Sequence, residues 1–267
     1  MDMGVDFSEI LIILILVLVL FGSRELPKFI REAARFIARV RNYGNKVRRE
    51  LDEIFMNTGG ALCDSDGDNL WTQKKDMRKK YLALRRRLTP AERTEKSRQI
   101  CRSLCESALF RNAAAVMIYV NMGSEVETRG LITEMVRSGK RVLIPYCKSG
   151  SQSMGIGEVT DIENDIVIGE GNNAPEPRPE LRDRFFMSDL RLIVCPGVSF
   201  DTYGGRLGRG SAYYDNFLRE LKGRVALFGL AFDCQMHEGH LPFSSSDVPM
   251  EQIVTESGLK LPDRLAG

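Results

Sequence analysis

The segment LRLIVCPGVSFDTYGGRLGRGSAYYDNFL, residues 190–218, holds the densest chemistry in the chain. A short apolar run from Leu192 to Cys195 leads into a loop carrying Gly204, Gly205, Gly208 and Gly210, and a helical pattern follows from Tyr213 to Leu221. Glycines let a backbone approach an anion closely, and successive N–H groups ahead of a helix present positive partial charge. Guanidinium groups such as those of Arg206 and Arg209 clamp phosphate oxygens. The spacing matches neither common phosphate motif. Ser211 stands where a Walker loop needs Lys, and Tyr213 stands at the third glycine place of the dinucleotide fingerprint. Tight turns with solvated arginines account for the same residues structurally.

Other groups are individually weaker. Lys74 and Arg78 are four apart and share a helical face; with Lys75, Lys79 and Arg85 they also read as a solvated basic face. Glu125 follows a strand-like run ending at Val120 and alone reads as a loop carboxylate or helix cap. Asp215 sits in a helical first turn, where an anion is favoured, and Asp247 precedes Val248-Pro249 as a turn residue. Cys234, His237 and His240 lie close together but lack a second ligand cluster, which disfavours zinc. The chain has no histidine beyond those two, which argues against a histidine base or Ser-His catalysis. Asp64, Asp66 and Asp68 suggest calcium, yet an EF-hand loop would need Gly and Glu where Asn69 and Lys75 stand.

The elements that must position these groups alternate. Gln73 to Arg87 and Pro90 to Leu109 carry helical periodicity, with Thr89 as N-cap ahead of Pro90. Val116 to Val120, Val142 to Pro145, Leu192 to Cys195, Val225 to Ala231 and Ile253 to Thr255 have the length and apolarity of strands buried on both faces. Helices over about Glu127 to Ser138 and Tyr213 to Leu221 fall between them. This order predicts a three-layer, Rossmann-like α/β domain with a largely parallel sheet. Ligands of such sheets bind beyond the carboxyl ends of the strands, which directs attention to the loops after Val120 and Cys195.

Two hundred and sixty-seven residues, 43% hydrophobic and 28% charged, support one sizeable core plus an appendage and exclude a disordered chain. With 38 Lys and Arg against 36 Asp and Glu, charge gives no reason to expect a nucleic-acid partner. Six cysteines without a CxxC pair suit a reducing compartment. Every residue from Ile10 to Phe21 is apolar, and with its flanks the run reaches about 17 residues, or ~25 Å of helix. Negative charge before it and Arg24, Lys28, Arg31 and Arg35 after it predict a retained single span with the rest of the chain in the cytoplasm. A basic amphipathic stripe follows, from Phe29 to Ile54, suited to the membrane surface or to a protein partner. The expected organisation is a transmembrane helix over 1–22, an amphipathic helix over 23–55, a Gly/Asp/Asn-rich linker over 56–71 and the α/β domain over 72–267.

Two resemblances carry the reading further. The short span, Phe21-Gly22 hinge, Leu26-Pro27 and basic helix of residues 3–55 resemble the single-span A/B subunits of the twin-arginine translocase, whose long acidic tail is missing here. That resemblance implies attachment to the cytoplasmic membrane and translocase components as partners. From Gln73 to Glu256 the chain closely resembles 5-formyltetrahydrofolate cyclo-ligases. The resemblance rests on Pro196-Gly197, Phe200-Asp201, the Gly205-to-Gly210 run and Tyr213-Tyr214-Asp215, with Ala212 where the family usually has Gly. It implies ATP-dependent cyclisation of 5-formyltetrahydrofolate to 5,10-methenyltetrahydrofolate. By the same resemblance Lys74, Arg78, Arg206, Gly208, Arg209, Gly210 and Tyr214 hold ATP, and Val120, Glu125, Arg209 and Tyr213 hold the folate. Asp215 and Asp247 hold Mg²⁺, Arg206 and Arg209 act on the transferring phosphoryl group, and Gln235 matches a family glutamine. On this reading replacement of Arg206 by Ala depresses turnover and spares folding.

Overall fold

The computed structural model describes residues 65–262, apart from 149, 150, 152, 170–172 and 222. The chain divides into two compact units, Met1–Ser65 and Asp66–Gly267. The expected span over 1–22, the amphipathic helix over 23–55 and the first part of the linker lie outside the described residues. Among the described residues no helix is long and apolar enough to cross a membrane.

The second unit opens with α1 (Ser65–Arg86), α2 (Pro90–Glu106) and the short α3 (Ala108–Asn112). Helix α1 starts inside the segment expected to be linker. Thr89 caps α2 as its sequence predicts: its hydroxyl accepts from the Glu92 N–H at 3.2 Å, and its own N–H donates to the Glu92 carboxylate at 2.8 Å. That helix ends earlier than its periodicity suggests. Ser107 is extended (ψ 130°), and the break turns Phe110 into the core, where it is 4% exposed.

The main sheet is built from β1 (Ala115–Ile118), β2 (Arg141–Cys147), β3 (Met154–Val159), β6 (Leu192–Cys195), β9 (Ala226–Leu230), β11 (Gln252–Thr255) and β12 (Gly258–Lys260), in the order β12-β11-β9-β6-β1-β2-β3. Its five central strands are parallel, and both edge strands, β3 and β12, are antiparallel to their neighbours. Strand β1 shows why the apolar runs are continuous: Val116 and Ile118 enter the core cluster that includes Ile100, Leu104, Ile132 and Met135, whereas Ala115 and Met117 enter the cluster that includes Leu218 and Leu221. Ile132 and Met135 belong to α4 (Arg129–Arg137), and the two leucines to α5 (Tyr213–Leu221). The result is the three-layer α/β arrangement with a mostly parallel sheet.

Smaller pieces decorate it: a β4 (Ile166–Ile168) and β5 (Pro175–Pro177) pair, and a three-stranded sheet of β7 (Ser199–Asp201), β8 (Arg206–Leu207) and β10 (Met236–His237). Phe200 from β7 is fully buried against Gly197 and Gly229, and a Cβ at either glycine would overlap its ring. The chain passes from β1 outward to β2 on one side and from β6 through β9 to β11 on the other. The order therefore reverses between β1 and β6, and the crevice beyond their carboxyl ends is the place where such sheets bind ligands.

Ile118 is fully buried on β1, one of the five parallel strands. Replacing it with Ala is expected to cost about 2–5 kcal/mol, seen as a lower urea midpoint at unchanged slope; a shift below about 0.5 kcal/mol would show that β1 is not the core strand described.

Candidate active site

A cavity of about 380 Å³ opens at this switch point, within the size range of small-molecule sites. Helix α1 contributes Lys74 and Arg78, and the segment after β1 contributes Tyr119, Val120, Met122 and Glu125. The glycine loop lines it continuously from Arg206 through Asp215, and Ser244 and Asp247 close one side. The end of β2, Met154 and the residues around Pro175 form the remaining wall. Every residue that the cyclo-ligase resemblance assigns to ATP, folate or Mg²⁺ lines this one cavity.

Five polar contacts set its geometry. Arg206 Nη2 donates to Asp215 Oδ1 at 2.7 Å, joining the start of the loop to the first turn of α5. Arg209 Nη2 donates to Glu125 Oε1 at 2.7 Å, and the Met122 N–H donates to Oε2 at 2.9 Å. Lys74 Nζ pairs with Asp247 Oδ2 at 2.5 Å. Arg78 Nε donates to the Gly208 carbonyl at 2.9 Å, fastening α1 to the loop. The i, i+4 spacing of Lys74 and Arg78 thus places both on the face that meets the cavity.

The two arginines of the loop differ. Arg209 keeps 52% of its side-chain exposure, whereas that of Arg206 is 2%. Arg206 Nε and the Tyr214 hydroxyl are buried without a hydrogen-bond partner among the described residues, and the guanidinium lies 5.5 Å from the Tyr214 ring centre. The burial of Arg206 corrects the expectation that its replacement by Ala would spare folding. Removing one member of a buried ion pair strands the other charge, at a cost of about 3–5 kcal/mol.

Burial pushes the Tyr119 and Tyr214 hydroxyls well above the ordinary tyrosine range and the Cys195 thiol up to about 12, so none supplies a nucleophile at neutral pH. Burial lowers the pKa of Arg78, with Asp247 and Asp215 opposing it. Burial by itself would raise Asp247, but hydrogen bonds from Lys74 and from the Ser244 N–H outweigh it, leaving its carboxyl below its usual range. Asp247 therefore stays ionised through neutral pH. The stability it contributes is present above the ordinary carboxylate range and is lost as pH falls through its lowered pKa.

Backbone conformation explains part of the glycine pattern. Gly204 (φ 87°) and Gly210 (φ 108°) occupy the left-handed region. Asp201 organises the turn ahead of the loop, accepting from the Tyr203 and Gly205 N–H groups at 2.8 and 2.7 Å and from that of Leu241 at 2.8 Å. A Cβ at Gly205 would collide with its carboxylate. Ala212 also lies at positive φ, 56°, immediately before α5. For a residue with a Cβ that costs roughly 1–2 kcal/mol.

Several neighbours escape sequence reasoning. Arg85, placed by sequence on the solvated basic face, is 2% exposed. The continuation of the α1 spacing through Tyr81 to Arg85 is the signal that could have found it. Gln235 has a definite role: its amide donates to the Gly197 and Val198 carbonyls at 2.9 and 3.0 Å while its oxygen accepts from the Phe232 N–H at 3.0 Å, tying the segment after β6 to that after β9. His237 meets the Tyr81 hydroxyl at 2.9 Å and His240 stacks on Tyr203. Among the described residues no three His, Cys, Asp or Glu groups converge on a metal position.

Residues 71–256 match the family model described as the 5-formyltetrahydrofolate cyclo-ligase family. The chain belongs to this family. Similar cyclo-ligases include that of Escherichia coli, 30% identical over 174 residues, with 65% of this chain and 94% of the relative covered. The mitochondrial 5-formyltetrahydrofolate cyclo-ligase of Arabidopsis thaliana is 25% identical, with 72% of this chain and 77% of the relative covered. The solved structure of Aquifex aeolicus 5,10-methenyltetrahydrofolate synthetase superposes with a TM-score of 0.61 at 28% identity, covering 71% of this chain and 93% of that one. A Mycoplasma pneumoniae synthetase at 18% identity and a TM-score of 0.53 shares the fold. Residues 3–50 separately match the mttA/Hcf106 family model, so both resemblances seen in the sequence hold.

The loop of this cyclo-ligase family member makes a two-sided prediction. Ala212→Gly relieves the left-handed backbone and should stabilise the chain by about 0.5–1 kcal/mol, less than the full strain because glycine also loosens the unfolded chain. Gly205→Ala drives a methyl into Asp201 and should destabilise by about 2 kcal/mol or more. Urea midpoints that shift in the same direction for both variants would refute this account of the loop.

Proposed function

We propose that the chain catalyses the ATP-dependent cyclisation of 5-formyltetrahydrofolate to 5,10-methenyltetrahydrofolate, releasing ADP and phosphate. The observation that carries this reading is a single cavity lined both by Lys74, Arg78, Arg209 and the glycine loop and by the apolar side chains of Val120, Met122, Pro145 and Met154. Such a site holds a triphosphate and a pterin side by side.

The chemistry explains the need for both. An N-formyl oxygen is amide-like and leaves poorly. It attacks the γ-phosphorus, ADP departs, and the formyl carbon becomes an iminium carrying a phosphate. The neighbouring secondary amine of the folate then attacks that carbon and loses its proton, and the phosphate leaves with the former formyl oxygen. No protein nucleophile is consumed; the residues align the reactants and hold charge. Arg209 sits where the two ligands meet. Arg206 adds positive potential from below the loop, Tyr213 and Tyr214 flank the loop's exit, and Glu125 accepts from the pterin's N–H edge.

The cavity lining holds Lys74, Arg78, Arg206 and Arg209 against Glu125, Glu176, Asp215 and Asp247. Four cations balance four carboxylates, so a triphosphate brings negative charge that this lining does not compensate. Mg²⁺ takes one or two carboxylates and completes its shell with phosphate oxygens and water, a donor set that Asp215 and Asp247 fit. When bound, it would neutralise charge that develops on the phosphates.

The match of residues 3–50 supports attachment of this activity to the cytoplasmic membrane: a span over 1–22, a surface helix over 23–55 and a linker over 56–71 that overlaps the start of α1. It also supports a second reading, a twin-arginine translocase subunit carrying a folate- and nucleotide-binding domain. The full chain mixed with 5-formyltetrahydrofolate and Mg-ATP separates them, because the conjugated methenyl product absorbs in the near ultraviolet. Product should form only with ATP, and Arg209→Ala, which alters an exposed side chain, should lower turnover by at least about 100-fold. Binding of both ligands without product would favour the second reading, and an undiminished rate for Arg209→Ala would remove that residue from the mechanism.

A further inference from the structure

Helix α1 carries a third cation, Arg85, next to the segments that line the site. Arg85 is 2% exposed, and its Nε donates to the Ser124 hydroxyl at 3.0 Å while Nη1 donates to the Gly197 carbonyl at 3.2 Å. One acceptor belongs to the segment after β1 and the other to that after β6, so the guanidinium bridges the two segments that flank the switch point. Both acceptors are neutral. Burial lowers the Arg85 pKa, and Glu125, adjacent to Ser124, is the foremost charge opposing that, with Arg209 acting against it.

Glu125 itself is nearly covered, its side chain 8% exposed, and the direct cationic partner of its carboxylate is Arg209. That partner is half exposed and belongs to the phosphate-facing loop. A triphosphate competes for it, and without Arg209 the carboxylate would keep the Met122 N–H as its hydrogen-bond donor. The other titratable groups facing Glu125 are the Tyr119 hydroxyl beyond β1 and the Tyr214 hydroxyl on α5, both kept neutral by burial. Arg85 is the fixed positive charge among them.

We propose that Arg85 is a positioning residue, bridging the segments after β1 and β6 so that Glu125 remains an oriented carboxylate when Arg209 turns to phosphate. This rests on the reading of Glu125 as the folate-binding carboxylate. It assigns the two cations separate duties: Arg209 exchanges between ligands, and Arg85 stays.

The test varies 5-formyltetrahydrofolate at saturating Mg-ATP across pH, using the full chain with Arg85→Gln and Arg85→Lys. The acidic limb of kcat/KM for the folate should move up by about one unit in the Gln variant, with a folate KM at neutral pH about tenfold higher and an ATP KM within about twofold of the original. The Lys variant keeps the charge and should hold the limb within a few tenths of a unit. A folded Gln variant with an unmoved limb, or a Lys variant shifted as far as Gln, would overturn the proposal. Should Arg85→Gln not fold, Ser124→Ala removes one Arg85 acceptor and should raise the folate KM severalfold; an unchanged KM there overturns the proposal as well. Glu125→Gln tests the underlying reading separately, since the acidic limb should vanish in it and its persistence would sink the folate role of Glu125 itself.

Discussion

The site is organised around a buried guanidinium. Arg206 leaves water almost completely, a transfer that costs several kcal/mol in any protein interior, and the Asp215 carboxylate at 2.7 Å offsets it. That pair fastens β8 to the first turn of α5 and so fixes both ends of the short stretch from Gly208 to Ala212. With its ends fixed, the stretch can hold an alanine in the left-handed region while its residues line the cavity. The strain is sustained by contacts elsewhere: Arg78 on the Gly208 carbonyl and Asp201 on the turn that precedes the loop.

The remaining ion pairs are of a different kind. Lys74 with Asp247 and Arg209 with Glu125 join side chains from elements far apart in sequence, across the walls of the cavity. Each cation neutralises a carboxylate that the proposed chemistry assigns to another partner. On the proposed reading, binding a triphosphate, its metal ion and a folate would exchange protein-protein pairs for protein-ligand pairs. Preorganisation of this type suits phosphoryl transfer, where alignment and electrostatics supply most of the catalysis. The inert Cys195 thiol and the neutral tyrosine hydroxyls agree with a site that forms no bond to the protein.

What could be read from the sequence followed local physics. The central strands were visible because burial on both faces leaves unbroken apolar runs. The α2 N-terminus was visible because Thr89, Pro90 and Glu92 interact within one turn, and the loop because its glycines and arginines have few other uses. Strands β3, β5, β8 and β10 were not, since Met154–Val159 carries two glycines, Pro175–Pro177 holds two prolines, and β8 and β10 are two residues each. Only pairing across the fold makes them strands. Arg85 shows the same limit for a side chain: a lysine- and arginine-rich helix looks solvated all round, and which face meets the sheet is a tertiary fact. The handedness of Ala212 was equally hidden, because its residue type argues against the conformation it adopts.

The account's central claim is that the folate's formyl oxygen and the nucleotide's γ-phosphorus meet inside this one cavity. Turnover of 5-formyltetrahydrofolate labelled with oxygen-18 in the formyl group, followed by mass analysis of the released phosphate, tests that claim most directly. The account predicts one labelled oxygen in each phosphate released; label appearing in water, with unlabelled phosphate, would contradict it.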